Sequence, residues 1–136
     1  MGVPFESIKV GDSASFSKTV SETDIYLYAG ITGDFNGVHI NSQLAAGSIF
    51  GERIAHGMLS AGFISTVIGT KLPGEGTIYM SQSLRFTAPV KIGDTVTATV
   101  EVLEKKDEKR RLRLSTVCTN QDGRKVIEGE ALVQCP

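Results

Sequence analysis

Apolar and polar positions follow two different periods along the chain. From the middle onward they alternate. Val96, Ala98, Val100 and Val102 point one way and Thr95, Thr97, Thr99 and Glu101 the other, and Ile78, Met80, Leu84 and Phe86 alternate in the same manner with Tyr79, Ser81, Ser83 and Arg85. A period of two is that of a strand with one face against a core. Leu112, Leu114 and Thr116 resume it after a charged turn over residues 104–109, and the Gln121-Asp122-Gly123 turn leads into a last strand over residues 124–133. The first half is more helical. After a strand over residues 13–20, Ser21 stands as an N-cap with Asp24 as the acid of a capping box, and Val20 and Ile25 can form the flanking hydrophobic staple. A helix over residues 22–31 follows, and Gly33, Asn36 and Gly37 end it in a sharply folded loop. Residues 42–46 suit a short helix and residues 47–53 a loop. Residues 58–68 are apolar or small on every side, which predicts a helix wrapped by other structure all round. The simplest architecture is an antiparallel sheet curled around one long buried helix, an α+β fold.

Composition narrows the function classes. The 136 residues suit a single domain over 1–136, and the 40% hydrophobic content is enough for a core. Charged residues make up 21% with a net charge of -1, unlike the basic excess of a nucleic-acid binder. Lys105, Lys106, Lys109, Arg110, Arg111 and Arg113 form a basic run broken by acids, the pattern of a solvated hairpin; contact with phosphate groups is the less favoured reading. Residues 1–9 contain Glu6 and no apolar run, so no secretory signal is expected. The apolar stretch over 58–68 is too short to span a bilayer. A cytoplasmic protein with no membrane and no nucleic-acid partner is the expectation. Cys118 and Cys135 fit it as reduced thiols, with Cys118 in a strand.

Few residues can carry chemistry. The chain has two histidines, and His39 follows Asp34 by five positions. Fully extended, that step spans about 17 Å. The intervening Asn36 and Gly37 favour a turn that brings both side chains onto one water. A carboxylate and an imidazole can exchange protons with that water near neutral pH. From spacing alone the favoured reading is that Asp34 caps a turn or helix and His39 sits satisfied in a core. No metal is expected, because two ligands do not make a site and no third His or Cys has ligand spacing. Gly57 stands where the buried helix starts. A backbone N–H there can receive the negative charge of a developing oxyanion, although tight helix packing is an equal reason for glycine. His56 reads as a helix-start residue bonded to backbone, and Ser65 as a serine bonded one turn back.

At these residues the chain resembles a known family. Tyr28-Ala29-Gly30-Ile31-Thr32-Gly33-Asp34-Phe35-Asn36-Gly37-Val38-His39 is similar to the signature of the MaoC-like, (R)-specific enoyl-CoA hydratases. Ile54-Ala55-His56-Gly57-Met58-Leu59, residues 72–79 and residues 81–86 resemble the same family in order and spacing, in its short single-hot-dog type that supplies polyhydroxyalkanoate synthesis. The resemblance implies a hot-dog fold and reversible hydration of trans-2-enoyl-CoA to (R)-3-hydroxyacyl-CoA. It implies Asp34 and His39 as catalytic residues, Gly57 as the thioester-oxygen donor and Ser65 beside the active site. It implies no cofactor, since CoA is part of the acyl-CoA thioester substrate, and a homodimer with the CoA tunnel at its interface. The family usually has Pro where this chain has Gly37, which leaves the loop less preorganised. Dehydration of 3-hydroxyacyl groups on acyl carrier protein is the alternative reaction. A non-catalytic acyl-binding hot-dog subunit is the alternative from another class, and the presence of both Asp34 and His39 counts against it.

Overall fold

The computed structural model describes residues 2–136. Six strands, β1 (Ser13–Thr19), β2 (Ile78–Gln82), β3 (Arg85–Phe86), β4 (Thr95–Lys106), β5 (Arg111–Thr119) and β6 (Lys125–Gln134), form one antiparallel sheet in the order β1-β4-β5-β6-β2, with β3 also on β6. Four helices, α1 (Glu22–Thr32), α2 (Gly37–Ile40), α3 (Ser42–Ala46) and α4 (Gly57–Thr70), lie between β1 and β2. The expected α+β arrangement, a sheet around a central helix, is the one observed.

Alternation sets the core. Val96, Ala98, Val100 and Val102 of β4 and Leu112, Leu114 and Cys118 of β5 are all buried, and they meet Phe63, Ile64, Val67 and Ile68 of α4. Thr116 shares the inward face of β5; its hydroxyl is satisfied by Gln82 Nε2 at 2.8 Å. Burial pushes the Cys118 thiol up to about 12, and its S–H donates to the Ser60 carbonyl at 3.6 Å. Cys118 pairs across the sheet with Ile127, almost the whole of β6 away from Cys135, and both cysteines are free.

The start of α1 follows the sequence closely. Ser21 Oγ accepts the Asp24 N–H at 3.1 Å, and the Asp24 carboxylate accepts the Ser21 N–H at 3.0 Å. Val20 and Ile25 are completely buried beside this capping box. The basic run is tied down: Arg113 pairs with Glu104 and Glu130, Arg110 pairs with Glu6, and Lys105 donates to the Phe5 and Ile8 carbonyls.

Two expectations need correction. The helix expected to be wrapped on every side is buried on one face only. Met58, Gly62, Ser65 and Gly69 form an exposed stripe down α4, and a Cβ added at Gly62 or Gly69 would meet nothing within 4 Å. The β2–β3 segment, expected to turn Ile78, Met80 and Phe86 inward, leaves them 56%, 42% and 52% exposed. The reason is position: β2 lies at the margin of the sheet, bonded only to β6 and bulged between Tyr79 and Ser81.

Candidate active site

Side-chain-to-backbone bonds fold the loop between α1 and α2. Gly33 ends α1 at φ 83°, a left-handed conformation that favours glycine. Thr32 Oγ1 accepts the Asp34 N–H at 3.2 Å, Asp34 Oδ1 accepts the Asn36 N–H at 3.2 Å, and Asn36 Oδ1 accepts the Val38 N–H at 3.2 Å. Asn36 thereby caps α2, a single helical turn where only a sharply folded loop was expected, and Gly37 is its first residue. That turn carries His39 inward, to 8% exposure, while Asp34 stays exposed.

His39 is held by Ile54. The Ile54 N–H bonds the Val38 carbonyl at 3.1 Å, and the Ile54 carbonyl takes His39 Nδ1 at 2.8 Å. A carbonyl only accepts, so Nδ1 carries the proton, and Nε2 of the neutral ring keeps a lone pair. Asp34 is held from the other side. His56 Nε2 donates to the Asp34 backbone carbonyl at 2.9 Å. The His56 ring stacks on His39 with centroids 3.8 Å apart and planes 29° apart, and Tyr28 leans on it at 4.6 Å. His56 is bonded to backbone, as expected, but it also braces both members of the proposed pair. Sequence spacing gave no sign of this, because the contact is made by the fold.

The expectation that no third ligand is near also needs correction. Candidate ligand atoms of Asp34, His39 and His56 lie within 4.8 Å of one another. Their directions do not suit one ion. Imidazole lone pairs lie in the ring planes, and two nearly parallel, stacked rings cannot both aim at a cation about 2.0–2.1 Å away. His39 Nδ1 and His56 Nε2 are moreover engaged by carbonyls.

Gly57 opens α4. Its preceding residue, His56, makes no side-chain cap, having turned its ring to Asp34 instead. The first N–H groups of a helix have no intrahelical acceptor, so this uncapped end suits a partly negative oxygen. A Cβ at Gly57 would come within 2.6 Å of the half-exposed Phe86 ring, so any larger residue here requires that ring to shift. Gly57 and Ile54 border an apolar cavity of about 510 Å³ whose walls include Met58, Phe86, Val90 and Ile127. Phe86 had stood only as a strand residue. Ser65 lies on the exposed stripe of α4, about 12 Å along the axis from Gly57.

The chain is similar to known proteins over nearly its whole length. The family model described as the MaoC like domain matches residues 7–131. An (R)-specific enoyl-CoA hydratase of Rhodospirillum rubrum is 58% identical over 132 residues, spanning 97% of this chain and 91% of that protein. The unliganded R-hydratase PhaJ1 of Pseudomonas aeruginosa superposes with a TM-score of 0.94 at 47% identity, over 99% of this chain and 86% of that one. The A. caviae (R)-hydratase involved in PHA biosynthesis superposes with a TM-score of 0.93 at 40% identity, over 96% and 99%. Among the described residues no helix is long and apolar enough to cross a membrane.

Proposed function

The chain belongs to the MaoC-like domain family, and from that membership we propose that it hydrates trans-2-enoyl-CoA to (R)-3-hydroxyacyl-CoA, reversibly. It is an enoyl-CoA hydratase, a carbon–oxygen lyase of hot-dog fold. The observation that carries the reading is the convergence of an exposed Asp34 carboxylate and a His39 ring with Nδ1 anchored on Ile54.

In the proposed reaction one water lies between the Asp34 carboxylate and His39 Nε2. The pair removes a proton as the water oxygen bonds to C3. The C2=C3 electrons move toward the thioester, and its oxygen gains negative charge. The Gly57 N–H donates to that oxygen. A proton returned by the pair then bonds to C2, so the elements of water are added and nothing is oxidised. The water oxygen and the C2 proton both arrive from the side of the pair, so addition is syn; the (R) configuration follows the named relatives. The apolar cavity beside Gly57 offers a dry wall to the substrate's acyl part.

Residues 1–136 act as one hot-dog unit in this reading. The chemistry needs no cofactor, because CoA arrives with the substrate. We place the protein in the cytoplasm, supplying (R)-3-hydroxyacyl-CoA to polyhydroxyalkanoate synthesis. The acting form is a homodimer whose partner covers the exposed margin at β2 and the stripe of α4, where Ser65 lines the substrate path. The test is the loss of enoyl absorbance from crotonyl-CoA, followed by chiral analysis. Turnover with (R) product is expected. Mostly (S) product, or no turnover of short or medium enoyl-CoA esters, overturns the proposal.

A further inference from the structure

Among the described residues, two buried side-chain polar atoms have no hydrogen-bond partner: His56 Nδ1 and Ser60 Oγ. They belong to the same end of α4, His56 as its N-cap and Ser60 in its first turn. His56 is 2% exposed and Ser60 is 0% exposed, so water does not satisfy them from outside. The two residues stand about one helical turn apart in the chain.

The two atoms are chemically complementary. His56 Nε2 faces the Asp34 carbonyl at 2.9 Å and must donate to it. A neutral imidazole carries one N–H, so Nδ1 is an acceptor in want of a donor. The Ser60 hydroxyl is a donor in want of an acceptor. A buried helical serine ordinarily bonds the carbonyl one turn back, here that of His56, and Ser60 does not. Two unmet groups of opposite kind, buried at the same helix start, are both relieved by a single hydrogen bond or one shared water.

We propose that Ser60 is a positioning residue for the Asp34/His39 site: its hydroxyl donates to His56 Nδ1, directly or through one bridging water, and locks His56 as the Nε2–H tautomer. The inference rests on the reading that Asp34 and His39 perform the hydration. The lock matters because of what the His56 ring touches. Its Nε2–H holds the Asp34 backbone, and its face holds His39 at 3.8 Å. In the other tautomer a lone pair would face the Asp34 carbonyl, and that end of the loop would be pushed away. Ser60, which also borders the apolar cavity, thus fixes both members of the pair through the His56 ring.

The experiment compares the wild type, Ser60→Ala and Ser60→Thr by long-range proton–nitrogen NMR of the His56 ring and by crotonyl-CoA kinetics. In the wild type His56 shows one tautomer, protonated at Nε2, with Nδ1 accepting a hydrogen bond. In Ser60→Ala the Nδ1 resonance moves toward that of an unbonded nitrogen. In that variant kcat falls on the order of tenfold, with KM nearly unchanged, as for a small misplacement of reacting groups. Ser60→Thr keeps a hydroxyl and restores both readouts. An unchanged Nδ1 resonance in Ser60→Ala overturns the proposal, whatever happens to activity, because a loss of packing alone would leave that resonance in place. A shifted resonance in a protein that turns over no enoyl-CoA in any form upholds the hydrogen bond and instead sinks the hydratase reading.

Discussion

At the scale of single residues, the proposed chemistry separates from the packing that supports it. Asp34 Oδ1 accepts the Asn36 N–H, a bond that an asparagine oxygen can keep. Asp34→Asn should therefore fold normally and lose on the order of a hundredfold or more in crotonyl-CoA turnover, typical of a positioned acid–base group. His39→Ala should lose a similar factor. It should also be less stable by about 1–3 kcal/mol, because the buried Ile54 carbonyl loses its donor. The activity losses should not add in the double variant, since both groups serve one water; additive losses in kcat/KM would put them on separate steps. Gly57 allows a second separation. Gly57→Ala keeps the N–H and pushes a methyl into Phe86, whereas Gly57→Pro places a Cβ at the same point, closes its ring onto the nitrogen and removes the N–H. Proline should be slower than alanine by on the order of a hundredfold. Equal rates in the two variants would mean that the thioester oxygen is held elsewhere. The proximity of Asp34 and His39 was legible in the sequence because a turn joins them locally. The bracing by His56 and the contact of Phe86 with Gly57 were not, because each joins residues far apart in the chain.

At the scale of elements, what the sequence reveals depends on whether the forces are local. The capping box at α1 is entirely local, and its residues Ser21 and Asp24 predict its geometry. Ser21→Ala should cost about 1 kcal/mol, measured by denaturant unfolding with an unchanged slope. The one-turn helix α2 was read only as a sharp loop, because its formation depends on the Asn36 cap and on the hold of Ile54 on Val38 and His39. Its first position also gives the departure at Gly37 a physical meaning. The first helical N–H has no intrahelical acceptor, so proline is at home there. Asn36, at φ -53° and ψ 130°, already has a conformation that precedes proline. A Cβ at Gly37 would meet Leu44 Cδ1 at 2.6 Å, but Leu44 is half exposed and can swing aside. Gly37→Pro should stabilise by about 0.4–1 kcal/mol, which raises Tm by roughly 2–4 °C. A fall in Tm would show that Leu44 cannot yield. The helix α4 and the strand β2 mark where periodicity misleads. It reports which side chains are apolar, and it does not say whether their own chain covers them.

At the scale of the whole molecule, those uncovered side chains are the main argument for a second copy. Ile78, Tyr79, Met80 and Phe86 lie exposed along the β2–β3 margin, and β2 has a hydrogen-bonded neighbour on one side only. Such an edge is a pairing hazard unless something adds to it. The cavity beside Gly57 reaches the same margin, because Phe86 and the exposed Met58 are among its walls. A partner strand along β2 would satisfy the edge and roof the cavity in one step. The proposed Asp34/His39 pair would then be complete within one chain, yet the substrate path would not. Ile78→Lys/Met80→Lys tests this. Each lysine replaces a side chain about half exposed, so its stem can lie on the sheet while the ammonium reaches water, and the fold should survive. Two facing rows of these charges should prevent edge pairing. Sedimentation equilibrium should find the wild type dimeric and the variant monomeric with an unchanged circular dichroism spectrum, and the monomer should lose most of its turnover on crotonyl-CoA. A monomer with full activity would place the whole substrate path within one chain and remove the interface from the mechanism.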